Sequence, residues 1–291
     1  MTVQIIRHKI EITEEEKRLQ KEIKALPLSV FEKLSDGRVD ELSLIVAGTH
    51  SHYMAMKKFE EFDAILMTAK YCLGAGSRFD HKAYSESNGV RTYDKNAQYH
   101  LNLHDLKSAV VWYNSSIDYL LQIIYFGFEF YTPFHTNSKY REELRKCIWN
   151  EKFTFYKDFC TLANANDNVK NLKIKWENLQ QHDSVKCIRK FANAIKHHGG
   201  FELTEIADQP TRISVTEPFS GKTADWDEIM ERPTIRFIEL VRNLIVVHNE
   251  VVTFEEYLFD ELGLSNIPST IRVGIDKIKQ RFSARDLLNA R

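Results

Sequence analysis

The chain has 291 residues, of which 43% are hydrophobic and 28% charged, and its formal net charge is -1. This composition suits a globular protein with a substantial core, and the near-neutral charge excludes a nonspecific nucleic-acid binder that works by overall basicity. Cys72, Cys147, Cys160 and Cys187 lie far apart with no Cys-x-x-Cys pair. That spacing suits neither a zinc knuckle nor a disulfide scaffold and predicts reduced thiols in the cytoplasm.

The first residues have no apolar signal core and turn highly charged by Glu14. Residues 2–12 alternate weakly, as a strand or an ordered lead-in would. Thr13 and Glu16 have capping-box spacing, so a helix is expected from there to Ala25, stopped by Pro27. A second helix is expected over Leu28–Leu34, before the Asp36-Gly37 turn, and a third from about His50 to Leu73, closed by Gly74 and Gly76. Residues 77–99 are polar and turn-rich around Ser85-Glu86-Ser87-Asn88-Gly89. They read as a long loop and as the boundary between an amino-terminal helical region, 1–99, and the main body.

The main body, 100–262, opens with a predicted helix over 101–130. Its apolar residues cover most of the circumference, so it should be central and buried. The run Tyr119–Phe128 within it is about half the length that spans a bilayer, so no membrane partner is expected. Helices follow over 138–163 and 167–198, the second broken near His182-Asp183-Ser184. Phe201, Leu203, Ile213 and Val215 alternate with polar neighbours on either side of Asp208-Gln209-Pro210, which predicts a β-hairpin. Asp225 is the expected cap of a last long helix from Trp226 to Glu261, with Pro233 as a restart point. A short basic amphipathic helix, 270–289, belongs to a peripheral region, 263–291. The fold class is therefore mainly α: a helical bundle with one β-hairpin inserted before the last long helix.

The most informative stretch is Arg189-Lys190-Phe191-Ala192-Asn193-Ala194-Ile195-Lys196-His197-His198-Gly199-Gly200. At about 100° per residue, Val185, Ile188, Phe191, Ala192 and Ile195 fall on one apolar stripe. Arg189, Asn193 and His197 line the other side, with Lys186 and Lys190 beside them. The glycine pair ends the helix. A second polar interruption, Arg242 through His248, lies in the last long helix among apolar neighbours, where Arg242 needs a partner. Glu239, one turn earlier, is the nearest candidate, and His248 reads equally well as a hydrogen-bonded core histidine. Lys196, His197 and His198 also have an ordinary explanation, since cations are favoured in the last turn of any helix. His100 and His104 are one turn apart but have no evident third ligand, so no metal or other cofactor is expected.

The arrangement of an arginine, a polar residue after it and a histidine six positions on, as in Arg242-Asn243 and His248, resembles the pattern of the HEPN superfamily. The segment Asn193-Ala194-Ile195-Lys196-His197-His198-Gly199 is similar to the Asn-x-Ile-Lys-His-x-Gly ending of some of its subfamilies. Ala192 stands where an arginine would precede the asparagine, and Arg189 lies one turn earlier. The resemblance covers roughly residues 100–260. It implies a metal-independent endoribonuclease, a toxin or phage-defence effector, usually a homodimer with its cleft at the two-fold interface and open to control by an antitoxin or regulatory protein. In that reading His197 is the acid or base, Arg189 clamps phosphate and Asn193 orients it. Arg242 and His248 form a second candidate pair, and Lys186, Lys190, Lys196 and His198 contact RNA. The alternative is a non-catalytic HEPN-like module that binds RNA, a nucleotide or a partner protein, which Ala192 favours. A purely structural helical interaction protein is a third class.

Overall fold

The computed structural model describes residues 4–6, 12–30, 50–79, 84–87, 90–93, 95–197, 199–207, 214–216, 223–225, 232–266 and 283–289. Its elements run β1 (Gln4–Ile6), α1 (Glu14–Lys24), α2 (His50–Gly76), β2 (Tyr84–Ser87), β3 (Val90–Tyr93), α3 (Lys95–Gly127) and α4 (Asn137–Lys146). They continue with α5 (Thr154–Ala163), α6 (Asp167–Gln181), α7 (Asp183–His197), β4 (Glu202–Leu203), β5 (Ser214–Thr216), β6 (Thr223–Asp225), β7 (Thr234–Ile235), α8 (Phe237–Glu261) and α9 (Ala284–Asn289). The protein is thus mainly helical, as the periodicities predict, with small β pairings inserted ahead of its last long helix. Among the described residues no helix is long and apolar enough to cross a membrane. Most of the expected helix over 28–34 and most of the one over 270–289 lie outside the described residues.

Several boundaries differ from the sequence reading, each for a local reason. The 77–99 segment is not simply a loop: β2 and β3 pair antiparallel, Tyr84 opposite Tyr93, and β1 lies parallel to β3. Helix α2 does not close at Leu73 but runs through Gly74 to Gly76. A Cβ on Gly76 would lie 2.8 Å from the Leu106 side chain and 3.1 Å from the Asn102 carbonyl, so glycine there permits close approach to α3. The single helix expected over 138–163 is two, α4 and α5, separated by residues 147–153. The Phe201–Leu203 strand does not pair with the strand at Val215. Instead β4 runs parallel to β7, and β5 pairs antiparallel with β6. Asp225 therefore sits in a strand, not at a helix cap. Helix α8 starts at Phe237, whose N–H donates to both carboxylate oxygens of Glu205 at 3.0 and 3.1 Å.

The chain divides into two compact units, each drawn from three stretches. Unit 1 comprises residues 1–26, 68–114 and 186–246. Here Thr13 and Glu16 complete the predicted capping box of α1, with the Thr13 N–H donating to Glu16 at 2.7 Å. The buried Glu16 carboxylate also accepts from the Tyr99 hydroxyl and pairs with Lys95, both at 3.1 Å. Beside it Phe79, Tyr99 and Phe237 pack ring to ring, with centroids 5.3–5.7 Å apart.

Unit 2 comprises residues 27–67, 115–185 and 247–291. Its helices α5 and α6 pack together, and Trp176 of α6 is fully buried against Trp149 and Phe254. Glu143 of α4 is 5% exposed and accepts from the Tyr125 hydroxyl at 2.7 Å and from Lys146 at 2.6 Å. Burial alone would raise its carboxyl pKa, but the bonds from Lys146, Tyr125 and the Thr132 N–H outweigh it and hold the value below the usual glutamate range. A carboxylate with a depressed folded-state pKa contributes stability above its unfolded pKa, and that contribution is lost as pH falls. Thermal melts of the wild type and Glu143→Gln should therefore differ most near neutrality and converge between about pH 5 and pH 3. A gap that widens on acidification would contradict this assignment.

Candidate functional site

Helix α7 splits as its sequence predicts. Val185, Ile188, Phe191 and Ala192 of the expected stripe are buried, as is Ala194, while Ile195 is half-buried; Lys186, Lys190, Asn193, Lys196 and His197 are exposed and Arg189 is half-buried. Arg189, Asn193 and His197 thus follow one another at four-residue steps along the solvent side, about 6 Å of helix rise per step. Arg189 and His197 lie about 12 Å apart along the axis, two turns with Asn193 midway. Ala192, at the position where the family pattern carries arginine, is fully buried, so the stripe itself explains the alanine. His198 lies outside the described residues.

Past α7 the backbone turns through Gly199 and Gly200, whose φ values of 74° and 110° are in the region that favours glycine. The Gly200 N–H donates to the Ala194 carbonyl at 3.0 Å, tying the turn to the helix end. Phe201 then enters the core and packs on Phe191, with centroids 4.7 Å apart. Two cations that the sequence reading does not single out, Lys107 of α3 and Arg232, border this turn. They belong to no short motif, and only the tertiary structure brings them there.

Within unit 1, α7 meets α8 where the Asn243 amide donates to the Cys187 sulfur at 3.5 Å. Burial raises the Cys187 thiol pKa and Glu239 adds to this, while Lys190 works against it. Arg242 is exposed and pairs with Glu15 of α1, not with Glu239 as the spacing along α8 suggests. His248 falls in unit 2. It is 1% exposed, and its Nε2 lies 2.9 Å from the Pro27 carbonyl, the geometry of a hydrogen-bonded core histidine. Six residues of helix turn Arg242 and His248 to different sides of α8, about 240° apart, so one is exposed and the other enclosed.

Unit 2 holds a cavity of about 630 Å³ whose walls include His50, Lys57, Lys58, Phe134, His135 and Tyr140. Much of its polarity is satisfied internally. Lys58 is paired with Glu61 at 2.6 Å and lies over the Tyr119 and Tyr140 rings at 5.4 and 5.3 Å. His50 Nδ1 is 2.7 Å from the Tyr131 hydroxyl. Burial, then the nearby His135 and Arg285, push its imidazole pKa down, so it is neutral at physiological pH. His100 and His104 are both exposed, and no group of three or more His, Cys, Asp or Glu residues able to hold a metal occurs among the described residues.

Compared with protein-family models, with curated proteins and with solved structures, the chain matches none.

Proposed function

We propose that the chain is a HEPN-like, metal-independent endoribonuclease that engages RNA along the solvent side of α7. One observation carries the reading: Arg189, Asn193 and His197 share a ridge flanked by Lys186, Lys190 and Lys196, while the opposite stripe of the same helix is buried. A local cationic ridge reconciles RNA contact with a net charge of -1, because phosphate attraction acts over about a Debye length rather than through total charge. In the proposed step a ribose 2′-hydroxyl loses its proton to His197 and attacks the adjacent phosphorus. The P–O5′ bond breaks, and the proton returns to the departing 5′-oxygen, leaving a 2′,3′-cyclic phosphate and a 5′-hydroxyl. Arg189 balances charge on the phosphate as a planar donor, and Asn193, between them, orients it. The family resemblance extends the reading to a cytoplasmic homodimer held in check by an antitoxin or regulatory protein.

A non-cleaving RNA-binding module is the second reading. It is favoured by the two-turn separation of Arg189 and His197, which suits successive contacts along a strand as well as a single reacting phosphate. Incubation of the purified protein with a mixed RNA pool in EDTA separates the two. Cleavage lost in His197→Ala supports the nuclease; binding without cleavage supports the module. RNA neither bound nor cut contradicts both.

A further inference from the structure

The absence of side chains at Gly199 and Gly200 lets two cations lie directly over the turn. A Cβ placed on Gly200 would lie 3.0 Å from Lys107 Nζ, and one on Gly199 would lie 3.6 Å from Arg232 Nη2. Arg232 is held by Glu202, with Nη1 to Oε1 at 3.0 Å. Lys107 has no hydrogen bond or ion pair among the described residues; its ammonium lies over the Phe201 ring, 5.7 Å from the centroid. A half-buried ammonium with no direct ion pair, beside a guanidinium that shares the one nearby carboxylate, is incompletely satisfied. Burial, and then Arg232, lower the Lys107 pKa, with Glu202 opposing. The two cations therefore work against each other, and Glu202 offsets this only in part. An ordinary helix-end role does not account for Lys107, since it donates to no terminal carbonyl of α7.

We infer that Lys107 and Arg232, flanking the Gly199–Gly200 turn, form an oxyanion notch that receives a phosphate of RNA lying along α7. The inference rests on the proposed RNA reading and extends it past His197. The strand would pass Arg189, Asn193 and His197 and then reach the two cations that lie over the turn. A tetrahedral dianion or diester oxygen offers Lys107 an acceptor, and the planar Arg232 fork has more donors than the one that Nη1 gives to Glu202.

The test measures binding of a labelled single-stranded RNA across a salt series for the wild type, Lys107→Gln, Lys107→Arg, Arg232→Gln and Arg189→Gln. Lys107→Gln and Arg232→Gln should each weaken binding on the order of tenfold at low salt. Each should also lower the slope of log K against log salt by about 0.7–1, whereas Lys107→Arg should keep most of both. Circular dichroism and melting curves check the fold, and Arg232→Gln stands alone if Lys107→Gln does not fold. If Arg189→Gln weakens binding while Lys107→Gln and Arg232→Gln leave affinity and slope unchanged, the notch is wrong and the RNA reading stands. If the wild type binds no RNA, the RNA reading fails, and inorganic pyrophosphate becomes the probe. A melting-temperature rise with pyrophosphate that disappears in Lys107→Gln or Arg232→Gln keeps the notch; no rise in the wild type overturns it.

Discussion

Replacing Phe237 with alanine should lower the stability of the protein by about 3–5 kcal/mol. Phe237 is 1% exposed and opens α8 at the centre of a three-ring cluster, its centroid 5.3 Å from those of both Phe79 and Tyr99. Truncation removes the buried area of an aromatic side chain and leaves a cavity that neighbouring rings cannot fill by rotation. The loss reaches further than packing, because Tyr99 also holds Glu16 and Glu16 completes the α1 capping box. Urea denaturation reads the change directly. Ile174→Ala is the internal comparison: its side chain is 46% exposed, and its removal should cost less than about 0.5 kcal/mol. A Phe237→Ala cost as small as that would place Phe237 outside the core in solution.

The second large effect is on chemistry. His197→Ala should reduce metal-independent RNA cleavage by about 10²–10⁴-fold, the usual contribution of a positioned acid or base. It should leave RNA affinity within a few-fold of the wild type, because the cations around it remain. Arg189→Ala should do the reverse in part, weakening both binding and cleavage through loss of the phosphate contact. His248→Ala gives the contrast. The His248 imidazole is sealed against the Pro27 carbonyl, so its replacement should lower stability and leave an unpaired acceptor. Cleavage per folded molecule should not change. If His248→Ala abolishes cleavage while melting like the wild type, the working histidine is His248 and the α7 assignment is wrong.

Much of the architecture is legible in the sequence where one helix must satisfy two environments. Helix α7 is the clearest case, since its apolar residues recur with the helical period and its polar residues fill the remaining arc. The break at His182 is legible for the same reason: the pattern resumes with a changed phase, and the structure ends α6 at Gln181 and starts α7 at Asp183. Strand partners are not legible, because alternation marks Leu203 and Val215 as strand residues without saying what they pair with. The division of 138–163 into α4 and α5 is equally hidden, since residues 147–153 contain neither glycine nor proline.

The cationic surroundings of the candidate site divide in the same manner. Lys186, Lys190 and Lys196 are visible because they share a helix with Arg189 and His197. Lys107 and Arg232 come from distant stretches and reach the Gly199–Gly200 turn only through the tertiary fold. The pairing of Arg242 with Glu15 is of this kind too, and no local rule would prefer it to the i,i+3 partner Glu239.

Ultraviolet cross-linking of the intact protein to RNA whose 2′-hydroxyls are methylated, and which therefore cannot be cleaved by this route, shows where on the protein RNA lies. Adducts are expected on peptides carrying the exposed residues of α7, from Lys186 to His197. Adducts confined to unit 2 residues, such as those around the His50–Tyr140 cavity, would contradict the α7 assignment, as would a yield no greater than that of a polyanion-blocked control.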